Sequence, residues 1–551
     1  MATPRSVPSV SGLRTAALLL GMAVCLLPAP LRGQAPTTGR KVIAVIAVDS
    51  YGDLKQQLAW IGPHIDNPGL AGTMESLLLL GTQGKGLAGL DVKRPIGVFV
   101  TTQEGDFGIH AALPVKDLDK LLGSLQGVTG PAEKDGDLRR MTLPSGQDLE
   151  VSEKDGWALV NQRGQAFGIA DPSAVLDPLV ADATLTVELH PADMPESIRA
   201  LLSAGIQQMA GAAAAQGRKV DAKALQAALD GLADVETLSL SMAMDPKENT
   251  VFLENRVIGR NAPAAASANT PLTVATAVAH DGGLHALKAH AVQPMTKDQA
   301  RQVLAILESA MPAGDERARV VGTVVRGIVE AMADAGGLDA ALTVDTSVTG
   351  QLPVITAGAH IADGPALEKQ VKALLSSPQI PREVKATFDS GKVGKANLHT
   401  VSIDVSASPA AGIVGPAVEL TLAVTPDYAF LLHGGDVKER LEKLLATNGS
   451  PNAAVADEEV PGLAVSLALD RVLSYLASMG LGPQAEAAAK QAASLADTDA
   501  DSGSITITAK PVDGGAVTRL TVGAGVIKAG AEMARQQGGP GGRPGGPAPQ
   551  R

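Results

Sequence analysis

The stretch HDGGLHALKAH sets His280, His285 and His290 within eleven residues, which makes it the chain's closest approach to a metal-ligand cluster. Histidines on one helix share an ion when they stand three or four residues apart and so lie on one face. Steps of five rotate by about 140° around a helix, and along a strand they point to opposite faces. No metal site is expected there. Asp497, Asp499 and Asp501 in ADTDADSGS have the opening spacing of a calcium loop. That loop needs Gly at its sixth position and Glu at its twelfth, where this chain has Ser502 and Thr508. An acidic connector is expected instead. In GTQGKG (81–86), Lys85 is followed by Gly86 and not by the Ser or Thr of a phosphate-binding loop, so the glycines are read as helix termination. No G-x-S-x-G elbow and no H-E-x-x-H pair occurs. His110, His190 and His433 are the remaining candidate bases, each beside strand or turn residues where surface exposure is expected. Asp457-Glu458-Glu459 reads as a solvated loop. No catalytic, cofactor-binding or metal-ligating residue is assigned, and the chain is read as non-enzymatic.

The N-terminus has the pattern of a secretory leader. Arg5 and Arg14 supply its positive start, the apolar run at 16–27 its core, and Gly33-Gln34-Ala35 its small-residue cleavage position, so residues 1–35 are expected to be removed. The apolar run is shorter than the about 20 residues that span a bilayer, and no later stretch qualifies. Cys25, the only cysteine, falls inside the leader, and Met22-Ala23-Val24 before it departs from a lipidation box. The mature chain therefore has no thiol and must be held by packing alone. Loss of Arg5, Arg14 and Arg32 with the leader moves the formal charge from −12 to −15. Such a chain is a poor match for nucleic acid or anionic lipid. Only 11 of 551 residues are Phe, Trp or Tyr, so few aromatic platforms exist for stacking sugars or bases. A periplasmic or extracellular location is expected.

The elements that would position any site recur in order along the chain. KVIAVIAVDSYGDLKQQLAWI (41–61) is echoed by LTVATAVAHDGGLHALKAHAV (272–292), each read as a β-branched run, a glycine-containing break and then a helical pattern. GKGLAGLDVKRPIGVFV (84–100) matches MADAGGLDAALTVD (332–345), a helix stop followed by a strand. Leu118, Leu121, Leu122 and Leu125 have the same helical spacing as Leu367, Val371, Leu374 and Leu375. GWALV (156–160) and DYAFLL (427–432) place an aromatic at one position. Asp171 and Asp436 suit helix N-caps. LSLSMAM (238–244) alternates strictly, as a half-buried antiparallel strand does, and Asp513-Gly514-Gly515 marks the turn of the corresponding hairpin in the second half.

The expected organisation is α+β: a leader at 1–35, one module at 36–260, a Pro/Ala/Ser/Asn linker at 261–270, a second copy at 271–527 and a disordered Gly/Pro-rich tail at 528–551. Each copy is read as antiparallel hairpins and sheets packed with amphipathic helices.

The words GKGLAGLD-VKRPIGVFV, LPVKDLDKLLGSL, DGWALV and LTVELHPADMPESIRALL together resemble a family of uncharacterised secreted proteins of planctomycete-type bacteria. The resemblance covers residues 41–215 and reaches the second half only in outline, where Arg94-Pro95 and Trp157 have no counterpart. It implies export and this helix-and-hairpin architecture, with no assigned reaction. The expected function is a binding or structural module of the periplasm or cell envelope that meets a protein partner. A carrier of an apolar molecule in a groove between sheet and helices is the alternative, with the helix after Pro195 (Ile198, Leu201, Leu202, Ile206, Met209) as an apolar stripe. A hydrolase without a recognisable motif is the third reading.

Overall fold

The computed structural model describes residues 40–103, 106–165, 169, 171–215, 231–260, 285–294, 326–327, 329–346, 353–378, 380–406, 415–447, 462–478 and 502–536, with single residues at 278, 297, 300, 301, 304, 486, 489, 490, 492 and 495. The chain divides into two compact units, one made of residues 1–262 together with 522–551, the other of residues 263–521. Both are α+β, with antiparallel sheet and helices.

In the first unit, strand β1 (Lys41–Val48) runs into Ser50, which is fully buried and caps helix α1 (Tyr51–His64) by accepting the amide of Asp53 at 2.9 Å. Helix α2 (Leu70–Gly81), strands β2 (Ile96–Gln103) and β3 (Asp106–Pro114), and helix α3 (Leu118–Thr129) follow. The next strands are β4 (Glu133–Asp135), β5 (Leu138–Thr142), β6 (Asp148–Lys154) and β7 (Trp157–Gln162). Helix α4 (Pro172–Val180), strand β8 (Leu185–Leu189), helix α5 (Glu196–Ala215) and the hairpin β9 (Val235–Asp245) and β10 (Thr250–Gly259) complete the run. Strand pairing gives the order β4-β5-β6-β7-β3-β2-β1-β8-β9-β10, antiparallel throughout. Helices cover both faces. Leu176 and Val180 of α4 pack on Val45, Phe99, Ala112 and Trp157, while Leu118, Leu121 and Leu122 of α3 pack on Met141, Val151 and Ala158 on the other side. Burial on both faces explains why β1 reads as a continuous apolar run.

The second unit contains β11 (His285–Pro294), β12 (Gly337–Asp345), β13 (Val354–His360), helix α6 (Gly364–Leu375), β14 (Val384–Val393), β15 (Ala396–Asp404), β16 (Ala417–Val424) and β17 (Tyr428–His433). Helix α7 (Val437–Thr447), β18 (Leu463–Ala468), helix α8 (Leu469–Ser478), β19 (Ser504–Val512) and β20 (Gly515–Gly523) follow. The strand order is β14-β15-β16-β17-β13-β12-β11-β18-β19-β20, the first unit's order with ten added to each number. Helices fall at matching places: α6 after the third strand as α3 does, α7 after the seventh as α4 does. Asp117 and Asp363 cap α3 and α6 in the same way, accepting the amides of Lys120 at 3.0 Å and Ala366 at 2.9 Å.

Two expectations need correction. His285 to Pro294 form a strand, not the end of a helical pattern, so the counterpart of β1 is 285–294 and not the run at 272–279. Ala289 and Ala291 alternate with His290 and Val292, and pairing with β12 and β18 on either side fixes the period at two. Helix α9 (Ala524–Gln536) crosses the expected boundary at 527, so the segment read as the start of a disordered tail is helical. It belongs with the first unit, where the Ala524 amide donates to the Asn249 carbonyl at 2.9 Å and Arg535 pairs with Asp66. Burying its apolar side offsets the ordering entropy of this helix. The leader, the 261–270 linker and the tail from 537 lie outside the described residues.

Candidate apolar groove

The residues singled out for chemistry do not converge. His285 and His290 lie five apart on β11 and point to opposite faces, and His280 lies outside the described residues, as do Asp497, Asp499, Asp501 and Asp457-Glu458-Glu459. At 81–86 the chain ends α2: Thr82 donates its hydroxyl to Leu78 O and accepts the amide of Gly86, while Gln83, Gly84 and Gly86 take positive φ.

His110 and His433 are buried, against the expectation of exposure. Asn161 Oδ1 accepts from His110 Nδ1 at 2.8 Å and the Thr101 hydroxyl meets Nε2 at 2.9 Å, which fixes the neutral tautomer. Burial first, and the nearby Arg40 charge after it, hold the ring below its ordinary imidazole value. His433 Nδ1 donates to the Glu419 carbonyl at 2.6 Å. His190 is part-exposed and its pKa is raised, chiefly by the hydrogen bond to Glu188. His110 and His433 are held by groups on adjoining strands, and His190 by Glu188 of its own chain segment. Arg94 and Trp157, which carry part of the resemblance, contact each other: the guanidinium lies 4.3 Å over the indole and donates to Gly156 O at 3.1 Å.

A concave feature is found in the second unit. A groove of about 350 Å³ runs over one face of its central strands. Register defines its floor as two cross-strand rows. One is Leu463–Ala291–Ala340–Ala359–Ala429; the other runs Ala289–Leu342–Ala357–Leu431 and ends at Leu422. Residues two apart on a strand share a face, so both rows point into the groove. Met332 borders it, and Leu431 and Leu463 remain 40% and 38% exposed at its rim. His290 contributes to the floor from the intervening position, with its side chain alternating to the other face. Among the described residues, the lining carries no acidic or basic side chain apart from that ring.

The cause is side-chain volume at matched positions. Counting back four residues from the capping Asp117 and Asp363 gives Leu113 in the first unit and Ala359 in the second. Their partners on the seventh strand are Ala158 and Ala429. Following the register outward, Val48 and Ile96 stand where the second unit has Ala291 and Ala340. Ile96 and Leu113 fill that space in the first unit and pack in the core beneath α3. In the second unit the same rungs carry alanine, and Ala359 and Ala429 there are buried with Val329, Met332 and Ala333. This groove lies on the sheet of the second unit; of the stripe expected after Pro195, Leu201, Leu202, Ile206 and Met209 have side chains outside the described residues.

No family model, no curated protein and no solved structure matches the chain.

Proposed function

We propose that the chain is an exported, non-catalytic binding protein made of two tandem versions of one α+β unit, and that the second version holds an apolar small molecule on its alanine-floored sheet. The single observation that carries this reading is the groove of about 350 Å³ whose floor is alanine where the first unit has Val48, Ile96 and Leu113. A volume near the lower end of the about 300–1,000 Å³ typical of ligand sites suits one slim apolar molecule, such as an acyl chain. Burial against such a floor contributes about 0.8 kcal/mol per methylene, enough for useful affinity without a charged anchor.

Tandem origin is supported by the shared strand order and by the matched capping aspartates. Export is supported by Arg5, Arg14, the apolar run at 16–27 and the small residues before Ala35, and the family resemblance points the same way. Protein expressed with its leader in a bacterium and recovered from the periplasmic fraction is expected to begin near Ala35 on N-terminal sequencing. Native mass spectrometry of that material should find an apolar adduct that organic extraction removes. Recovery of the uncleaved chain in the cytoplasm would contradict the export reading, and a consistently adduct-free mass would contradict the carrier reading.

A further inference from the structure

Beside the groove, α6 packs Leu367 and Val371 on Ala359, Leu422 and Ala429 and presents Glu368 and Lys372 to the β14–β15 hairpin. Lys372 Nζ lies 2.7 Å from Glu368 Oε1 and 2.9 and 3.0 Å from the two carboxylate oxygens of Asp389. An ammonium thus sits at the meeting point of two carboxylates. Glu368 Oε2 accepts from Asn397 at 3.1 Å. Next to them His399 is only 1% exposed, and its Nε2, 3.5 Å from Glu368 Oε1, has no hydrogen-bond partner. One donor atom from each of Glu368, Asp389 and His399 falls within 4.8 Å of the others. The ammonium satisfies the carboxylates and leaves the imidazole unserved.

One nitrogen and two carboxylate oxygens form a donor set for borderline divalent ions such as Zn²⁺, whereas Mg²⁺ and Ca²⁺ favour all-oxygen shells. We infer that Glu368, Asp389 and His399 bind a divalent transition ion, and that Lys372 is a resident cation which the metal displaces. Two carboxylates, a neutral ring and a doubly charged ion balance once Lys372, which is part-exposed, turns to solvent.

Entry of the ion has a defined cost. The Asp389 amide donates to His399 Nδ1 at 3.1 Å, so the ring proton rests on Nε2. Ligation through Nε2 moves that proton to Nδ1 and opens the amide contact. Asp389 has φ +51° and lies where the hairpin ladder is interrupted between Thr387 and Gly391, so its amide is already outside regular pairing. The first unit has Leu122 and Gln126 at the turn of α3 that matches Glu368 and Lys372, which confines the site to the second unit.

Titration of the full mature chain with Zn²⁺ after chelator dialysis, followed by calorimetry, tests this. Expected are one equivalent bound by the wild type, at least tenfold tighter binding by Lys372→Met, and at least tenfold weaker binding by His399→Gln. Mg²⁺ should not compete. Should a variant fail to fold, the visible absorption of Co²⁺ bound to the wild type decides, because inner-sphere nitrogen and oxygen ligation gives d–d bands that Asp389→Asn should abolish. Equal Zn²⁺ affinity in wild type and His399→Gln, no gain in Lys372→Met, or a Co²⁺ spectrum no different from the aqueous ion would overturn the assignment.

Discussion

Burial gives two histidines of this chain a pH dependence of their own. His110 and His399 both lie below the ordinary imidazole value, and burial is the leading cause in each. A group with a folded pKa below its unfolded one binds fewer protons when folded, so stability is full above about pH 6.5 and falls as pH drops through that range. His190 has the opposite sign: its raised value adds stability below about pH 6.5, lost as pH rises through the folded value. Through His110 the urea midpoint of the wild type should fall between pH 7.5 and 5.5. His110→Gln should flatten that fall while costing about 1–3 kcal/mol at pH 7.5, because Thr101 and Asn161 lose a fitted partner. An unchanged pH slope in the variant would show that His110 does not carry the effect. None of this was legible in the sequence: a histidine beside strand residues looks the same whether its strand is central or at an edge. Pairing of β3 with both β2 and β7 is what buries His110.

At the scale of elements, local chemistry was the most readable layer. The alternation at 238–244 is β9, Asp171 and Asp436 accept the amides of Ser173 at 2.9 Å and Glu439 at 3.0 Å as N-caps, and Gly514 takes φ +76° in the turn between β19 and β20. The misreading of β11 has a simple origin. Its alternation of alanine with histidine and lysine is too weak to separate a period of two from one of 3.6, and pairing on both edges decides. Gly364 shows a constraint of a different kind. It opens α6 so close to the turn after β16 that an added Cβ would fall 1.8 Å from Thr425 O, a backbone atom that cannot step aside. Gly364→Ala should therefore lift α6 off Val424 and Ala429 and destabilise by about 2–3 kcal/mol, the upper range for overpacking. A shift of the melting temperature by less than a degree would mean that the turn yields freely.

At the scale of the whole molecule, composition and element order gave the α+β class and the approximate midpoint of the chain. They did not give the closing move, in which the C-terminal helix returns to the first unit. Removal of residues 524–551 should raise hydrogen exchange in α1, against which α9 packs, while exchange across β12, β13 and β17 stays unchanged. Equal protection of α1 in both forms would contradict that assignment.

The groove was the least legible feature of all, because an alanine on a strand carries no signal until the register of four strands brings Ala291, Ala340, Ala359 and Ala429 into one row. The same register supplies the most direct test of the carrier reading. The first unit's residues can be written into the second as Ala340→Ile and Ala359→Leu, side chains that the matched sheet already accommodates at Ile96 and Leu113. Titration with a fluorescent fatty acid should give saturable binding by the wild type at one equivalent, and at least a tenfold loss of affinity in the double variant with its melting temperature kept. Undiminished binding by the filled variant would contradict the account.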